Sequence, residues 1–254
     1  MKMTILGSGT SQGVPVIACA CDVCVSTDSL DKRLRASILI SDKDENFVID
    51  TGPDFRQQML RAQVKSLRAI IYTHEHKDHI AGMDDVRAFN YREKRDMEIF
   101  CTERVENALK QEFHYVFAKD NYPGIPSVHI NRIENKSFQL PDGPMLTPVE
   151  VMHYKMPVFG YRINDFTYIT DAKTIAPAEI EKVKGTKVLI VNALHRSAHI
   201  SHFNLDEALA FIALIQPEKA YLTHISHLFG KHHEIEESLP KNVFVAYDGL
   251  EIEL

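Results

Sequence analysis

Residues 74 to 79 read His74-Glu75-His76-Lys77-Asp78-His79, three imidazoles and a carboxylate able to ligate within six positions. In a helix His74 and His76 would point roughly 200° apart, since each residue turns by about 100°. The spacing therefore predicts a loop that folds its side chains inward from the end of the apolar run over residues 68–73. Imidazole and carboxylate at this density make a metal cradle, a chemistry that a solvated charged loop does not need. The pattern differs from the helical His-Glu-x-x-His of zinc proteases, in which the glutamate serves as base.

A second cluster lies near the start, Cys19-Ala-Cys21-Asp-Val-Cys24. Three thiols on a tight loop supply three of the four ligands of a tetrahedral zinc, and thiolate softness favours that ion. His227, in Thr223-His224-Ile-Ser-His227, is placed to complete the set. A closed site of three Cys and one His is structural, fastening the N-terminal loop to a distant segment. Cys101, alone after a strand-like run, reads as a core cysteine.

A metal cradle with two ions needs further ligands from strand ends far apart in sequence. His153, Asp171 and His224 each follow an apolar run, over residues 149–152, 168–170 and 220–223. Asp50 ends another such run. It reads either as a turn residue or as the acceptor that orients a ligating imidazole. Gly7, Gly9 and Gly13 are spaced one residue too widely for a dinucleotide loop and lead into cysteines, so a Rossmann site is rejected.

The elements that must position these residues alternate along the chain. Strands are expected over residues 3–7, 36–41, 46–50, 67–73, 98–100, 145–152, 158–163, 166–170, 188–191, 220–223 and 243–247. Helical patterns cover 55–63, 82–92, 103–113, 176–183 and 205–215. The pair Asp248-Gly249 has the residue types of a two-residue hairpin turn between 243–247 and 250–254. Residues 118–126, with Pro123-Gly124 and Pro126, read as an irregular segment suited to a lid or a partner contact. Arg87 and Arg92 lie on the helical pattern after the His string, either as a solvated face or facing an anionic substrate. Two sheets packed face to face with helices outside accommodate this order.

With 254 residues, 44% hydrophobic and 25% charged, the chain reads as one globular domain, residues 1–254, with a zinc-binding loop at about residues 15–30. A formal charge of −6 and the absence of a Lys/Arg block disfavour a broad nucleic-acid surface. No signal-peptide pattern or long apolar window appears, so a cytoplasmic location without membrane contact is expected.

The His-x-His-x-Asp-His string resembles the signature of the metallo-β-lactamase superfamily. The Gly-Ser-Gly-Thr-Ser-x-Gly-Val-Pro opening, the Cys cluster, Thr-His-Ile-Ser-His and the Tyr-Asp-Gly end resemble its PhnP-type phosphodiesterases, which cleave a phosphoribosyl cyclic phosphate. The resemblance implies an α/β fold, a four-layer αββα sandwich of two mixed sheets. It implies that His74, His76 and His153 hold one metal, that Asp78, His79 and His224 hold the other, and that Asp171 bridges them. The ions would be zinc or manganese, with Asp50 behind the ligands and a structural zinc on Cys19, Cys21, Cys24 and His227. His202, just before the helix at residue 205, matches the family's non-ligand catalytic histidine, with His195 and His199 as rivals for that role. The implied activity is hydrolysis of a small, cyclic sugar or nucleotide phosphodiester by a hydroxide between the two ions, in a chain that can form a homodimer. Rival readings within the superfamily are a tRNA 3′-end endonuclease, a lactone or thioester hydrolase, and a cofactor-biosynthesis protein. Outside it stands a non-enzymatic metal-binding scaffold.

Overall fold

The computed structural model describes residues 1–118 and 124–253. Its strands are β1 (Lys2–Gly7), β2 (Ser37–Asp42), β3 (Glu45–Ile49), β4 (Ala69–Ile71), β5 (Met97–Cys101), β6 (Val128–Arg132), β7 (Phe138–Gln139), β8 (Met145–His153), β9 (Met156–Ile163), β10 (Phe166–Ile169), β11 (Thr174–Ile175), β12 (Val188–Asn192), β13 (Lys219–Thr223), β14 (Val243–Val245) and β15 (Glu251–Glu253). Its helices are α1 (Phe55–Arg61), α2 (Lys77–Ile80), α3 (Arg87–Glu93), α4 (Glu103–Glu112), α5 (Pro177–Val183), α6 (Leu205–Ile215) and α7 (His232–Glu236). One sheet runs β15-β1-β2-β3-β4-β5-β6, and the other β11-β8-β9-β10-β12-β13-β14 with β7 added against β8. Both sheets mix parallel and antiparallel pairs.

Alternation within single strands explains the layers. Side chains of successive strand residues point to opposite faces, so an unbroken apolar strand must be covered on both. In β2, Ile38 and Ile40 enter the core between the sheets while Leu39 faces outward, and in β3 Phe47 and Ile49 oppose Val48 in the same way. In β12, Val188 and Ile190 join that central core, and Leu189 and Val191 face a third cluster that includes Phe211 and Ile212 of α6. The outer core of the first sheet takes Phe55 and Met59 of α1, Phe89 of α3 and Val105 and Leu109 of α4. Three apolar layers separated by two sheets give the expected αββα sandwich.

The structure revises several local readings. The His string is loop only as far as His76; Asp78 and His79 lie on the single turn of α2. Residues 82–92 form a 3₁₀ turn, Met83–Val86, before α3. The Asp248-Gly249 hairpin is absent: β14 pairs with β13 in one sheet and β15 pairs with β1 in the other. Each strand finds a longer-range partner, and the link between them crosses from sheet to sheet. Asp248 serves that crossing. Its carboxylate accepts from the Ser8 amide and hydroxyl and the Leu34 amide, and pairs with Arg61. Of the irregular segment expected at 118–126, residues 119–123 lie outside the described residues.

Candidate metal centres

The ligand-bearing residues sit where strands stop. Asp50 and His224 immediately follow β3 and β13 and Asp171 stands two residues beyond β10, with φ of 66°, 57° and 58°. Asp and His tolerate this left-handed conformation better than most residues, and it turns each side chain off its strand toward a common point. The His74–His79 segment is pressed against the loop after β3. A Cβ on Gly52 would stand 2.1 Å from the Asp78 carbonyl oxygen, and one on Gly82 2.2 Å from that of Gly52, so both positions require glycine for close approach.

Hydrogen bonds behind the imidazoles fix which nitrogen faces inward. Asp50, fully buried, accepts from the Thr73 amide and hydroxyl, each at 2.8 Å, and its Oδ2 lies 2.7 Å from His79 Nδ1. The Thr73 hydroxyl also stands 2.9 Å from His74 Nδ1, and His153 Nδ1 lies 2.9 Å from the Ser201 carbonyl oxygen. With Nδ1 engaged in each ring, Nε2 is left for the interior.

There the Nε2 atoms of His74, His79 and His224 are buried without a hydrogen-bond partner. His79 Nε2 lies 3.2 Å from Asp78 Oδ2 and 3.3 Å from Asp171 Oδ2, while His224 Nε2 lies 3.3 Å from Asp171 Oδ1. Buried nitrogens aimed at carboxylate oxygens without hydrogen-bond geometry are what a shared cation resolves, and the donor set of imidazole and carboxylate suits zinc or manganese.

Asp78, His79 and His224 gather as one cluster. The other expected set is spread around Asp171: His74 clusters with His79 and Asp171, and His153 with Asp171 and His202. His76 is solvent-exposed and joins through its ring, 4.7 Å from that of His74 and 5.1 Å from that of His153.

The charges are strongly coupled. Burial works against ionising Asp171, yet His224 and His79 hold its carboxyl well below the usual range. Asp78 is likewise kept ionised against burial by His79 and His224. Burial also disfavours a charge on His79, but Asp78, Asp50 and Asp171 hold it well above an ordinary imidazole.

His202 stacks on His224, with ring centroids 4.8 Å apart, and its Nδ1 lies 3.7 Å from Asp171 Oδ1. Burial first, and then His224, press its pKa down to about 3. His199 is one ring further out, 5.1 Å from His202, and His195 is 5.8 Å from His199, so His202 is the innermost of the three.

The Cys loop meets the far end of the same segment. Cys19, Cys21 and Cys24 place their sulfurs 3.3, 3.4 and 3.6 Å from His227 Nδ1. A tetrahedron with ordinary zinc–sulfur and zinc–nitrogen bonds has sulfur–nitrogen edges of about 3.6 Å, so these residues fit zinc. Burial raises Cys24 to about 11, whereas the Cys24 amide and His227 lower Cys21 to about 6.

Arg87 pairs with Asp84 on the surface and Arg92 lines an apolar groove beside Phe55, so neither joins the cluster. The cations that do border it are Arg104 and Lys155, in a cleft over His76 and His153. Sequence reasoning missed both, because each reads as an ordinary surface charge; a basic residue just after the His153 ligand position was the one available signal.

Comparison with known proteins accords with this arrangement. The beta-lactamase superfamily domain family matches residues 45–225. An octanoyltransferase of Porphyromonas gingivalis is 40% identical over 254 residues, which cover 99% of this chain and 51% of that protein. A ribonuclease Z of Prochlorococcus marinus is 26% identical over 210 residues, covering 76% of this chain and 61% of that enzyme. The chain thus spans about half the length of the first and less than two thirds of the second. The crystal structure of a diphosphatase from the PhnP family superposes with a TM-score of 0.93 at 37% identity, covering 100% of this chain and 97% of that one. Zn(2+)-bound PqqB from Methylobacterium extorquens shares the fold, with a TM-score of 0.81 at 20% identity and 100% of both chains covered. Matched by the family over residues 45–225 and 37% identical to a PhnP-family structure, the chain belongs to the beta-lactamase superfamily and to its PhnP branch.

Proposed function

We propose that the protein is a metal-dependent hydrolase of small phosphodiesters, cyclic sugar or nucleotide phosphates among them. The observation that carries this reading is the convergence of partnerless imidazole nitrogens and two carboxylates beneath a cleft edged by Arg104 and Lys155. His74, His76 and His153 would hold one ion and Asp78, His79 and His224 a second, with Asp171 available to either. When bound, divalent ions at such a centre supply Lewis-acid polarisation of a phosphoryl oxygen and bring the pKa of water close to neutral.

The chain's own residues do the rest. Asp50, Thr73 and the Ser201 carbonyl orient the ligand rings. His202, kept neutral by burial, donates a hydrogen bond to a phosphoryl or leaving oxygen more readily than it releases a proton. Cys19, Cys21, Cys24 and His227 would hold a structural zinc that pins the N-terminal loop.

The diphosphatase and ribonuclease Z names among the relatives support chemistry at phosphorus. The name of the P. gingivalis relative favours a second reading, acyl transfer or thioester hydrolysis, although it belongs to a protein about twice as long. A panel of cyclic phosphodiesters, linear phosphodiesters, diphosphate esters, precursor tRNA, lactones and octanoyl thioesters separates the two. Turnover of small phosphodiesters is expected, by protein carrying about three metal ions per chain, two of them easier to strip. Turnover confined to lactones or thioesters, or a single ion per chain, would overturn the proposal.

A further inference from the structure

The cleft over His76 and His153 encloses about 530 Å³, and Arg104, Tyr154, Lys155 and Ile200 form part of its lining. Metal binding explains none of these four. Tyr154 opens the two-residue turn between β8 and β9 with φ 57°. Such turns favour Gly, Asn or Asp there, and a bulky aromatic ring is an outlier. The comparable turns between β2 and β3 and between β9 and β10 place Lys43 and Asn164 at that position, with φ 55° and 53°.

Strain of this kind persists where something outside the turn requires the side chain. Packing does not require it here: Tyr154 is 54% exposed, and its ring meets the Lys155 ammonium at 5.3 Å. Ile200 is 67% exposed on the same cleft. Arg104 is held by Glu75 through Nε, and among the described residues its two terminal nitrogens have no other hydrogen-bond partner. An exposed ring, an exposed aliphatic chain and two cations beside a metal-ligand cluster match an elongated anion with a planar part.

We propose that this wall is a substrate subsite. Tyr154 and Ile200 hold a planar ring such as a nucleobase, and Arg104 and Lys155 hold a second phosphate that does not react. The substrate class is then a nucleotide ester that carries both groups. The proposal rests on the phosphodiesterase reading and narrows it.

Calorimetry on the metal-loaded protein with thymidine 3′,5′-bisphosphate, thymidine 5′-phosphate and deoxyribose 5-phosphate tests each element. Affinity should fall about tenfold at each step along that series, the gain expected of one stacked ring or one paired phosphate. Tyr154→Asn should abolish the advantage of thymidine 5′-phosphate over the sugar phosphate without lowering the melting temperature, because asparagine suits the turn. Tyr154→Phe should restore it. Arg104→Gln should abolish the advantage of the bisphosphate and raise KM about tenfold for thymidine 3′-phosphate 5′-(p-nitrophenyl phosphate), with kcat changed less than twofold. Nucleotide selectivity without any phosphodiester turnover would support the subsite while sinking the catalytic reading. Equal affinity for all three ligands, or selectivity untouched by Tyr154→Asn, would overturn the subsite.

Discussion

Asp50 touches no candidate metal position, yet its bond to His79 and its two bonds to Thr73 decide how the inner ligands present themselves. Asp50→Asn retains the shape and replaces an acceptor facing His79 Nδ1 with an amide, which disturbs the tautomer. Metal affinity should fall about 10–100-fold with little change in thermal stability, a combination measured by competitive chelation beside a melting curve. His202→Ala should act on the other side of the chemistry. Full metal content with a loss of about 10²-fold in kcat is expected, and metal loss in this variant would make His202 a ligand. Residues at this scale were legible where several ligand types crowd together, as in the His string and the Cys cluster. Tyr154 and Arg104 were not, since their significance comes from a backbone dihedral and from where α4 packs, neither of which has a local sequence signature.

Elements carry the ligands by ending in the right place. Strands β3, β10 and β13 each stop one or two residues before a side chain that turns inward, and this was visible as an apolar run followed by Asp or His. Helix α6 was equally plain, with Asn204 and Glu207 forming a capping box at its start. The short strands β7 and β11, two residues each, have too few positions to show a period. The Cys loop is held less by secondary structure than by its sulfurs and by backbone pairing of Ser8 and Thr10 with Ile225. Cys21→Ser should therefore cost stability more than chemistry. A loss of about 2–3 kcal/mol is reasonable for one ligand of a structural zinc, or roughly 5–10 °C in Tm for a chain of this size. Calorimetry together with kcat on the same sample checks the asymmetry, and an unchanged Tm would exclude a structural zinc there.

At the scale of the whole molecule, hydrophobic alternation was enough to imply two covered sheets, but it could not say which strand closes which sheet. Asp248-Gly249 shows why: turn-forming residue types describe a bend, and the strand after it is claimed by contacts more than 200 positions away, such as Lys2 with Glu253. Among the described residues no helix is long and apolar enough to cross a membrane.

The pairing of β1 with β15 brings residue 2 beside residue 253, at one edge of the first sheet. The first and last described strands are therefore neighbours in one sheet. A circular permutant, with a short flexible linker joining the present ends and new ends cut at the exposed turn Lys43-Asp44, should keep both metal centres and melt within a few degrees of the parent.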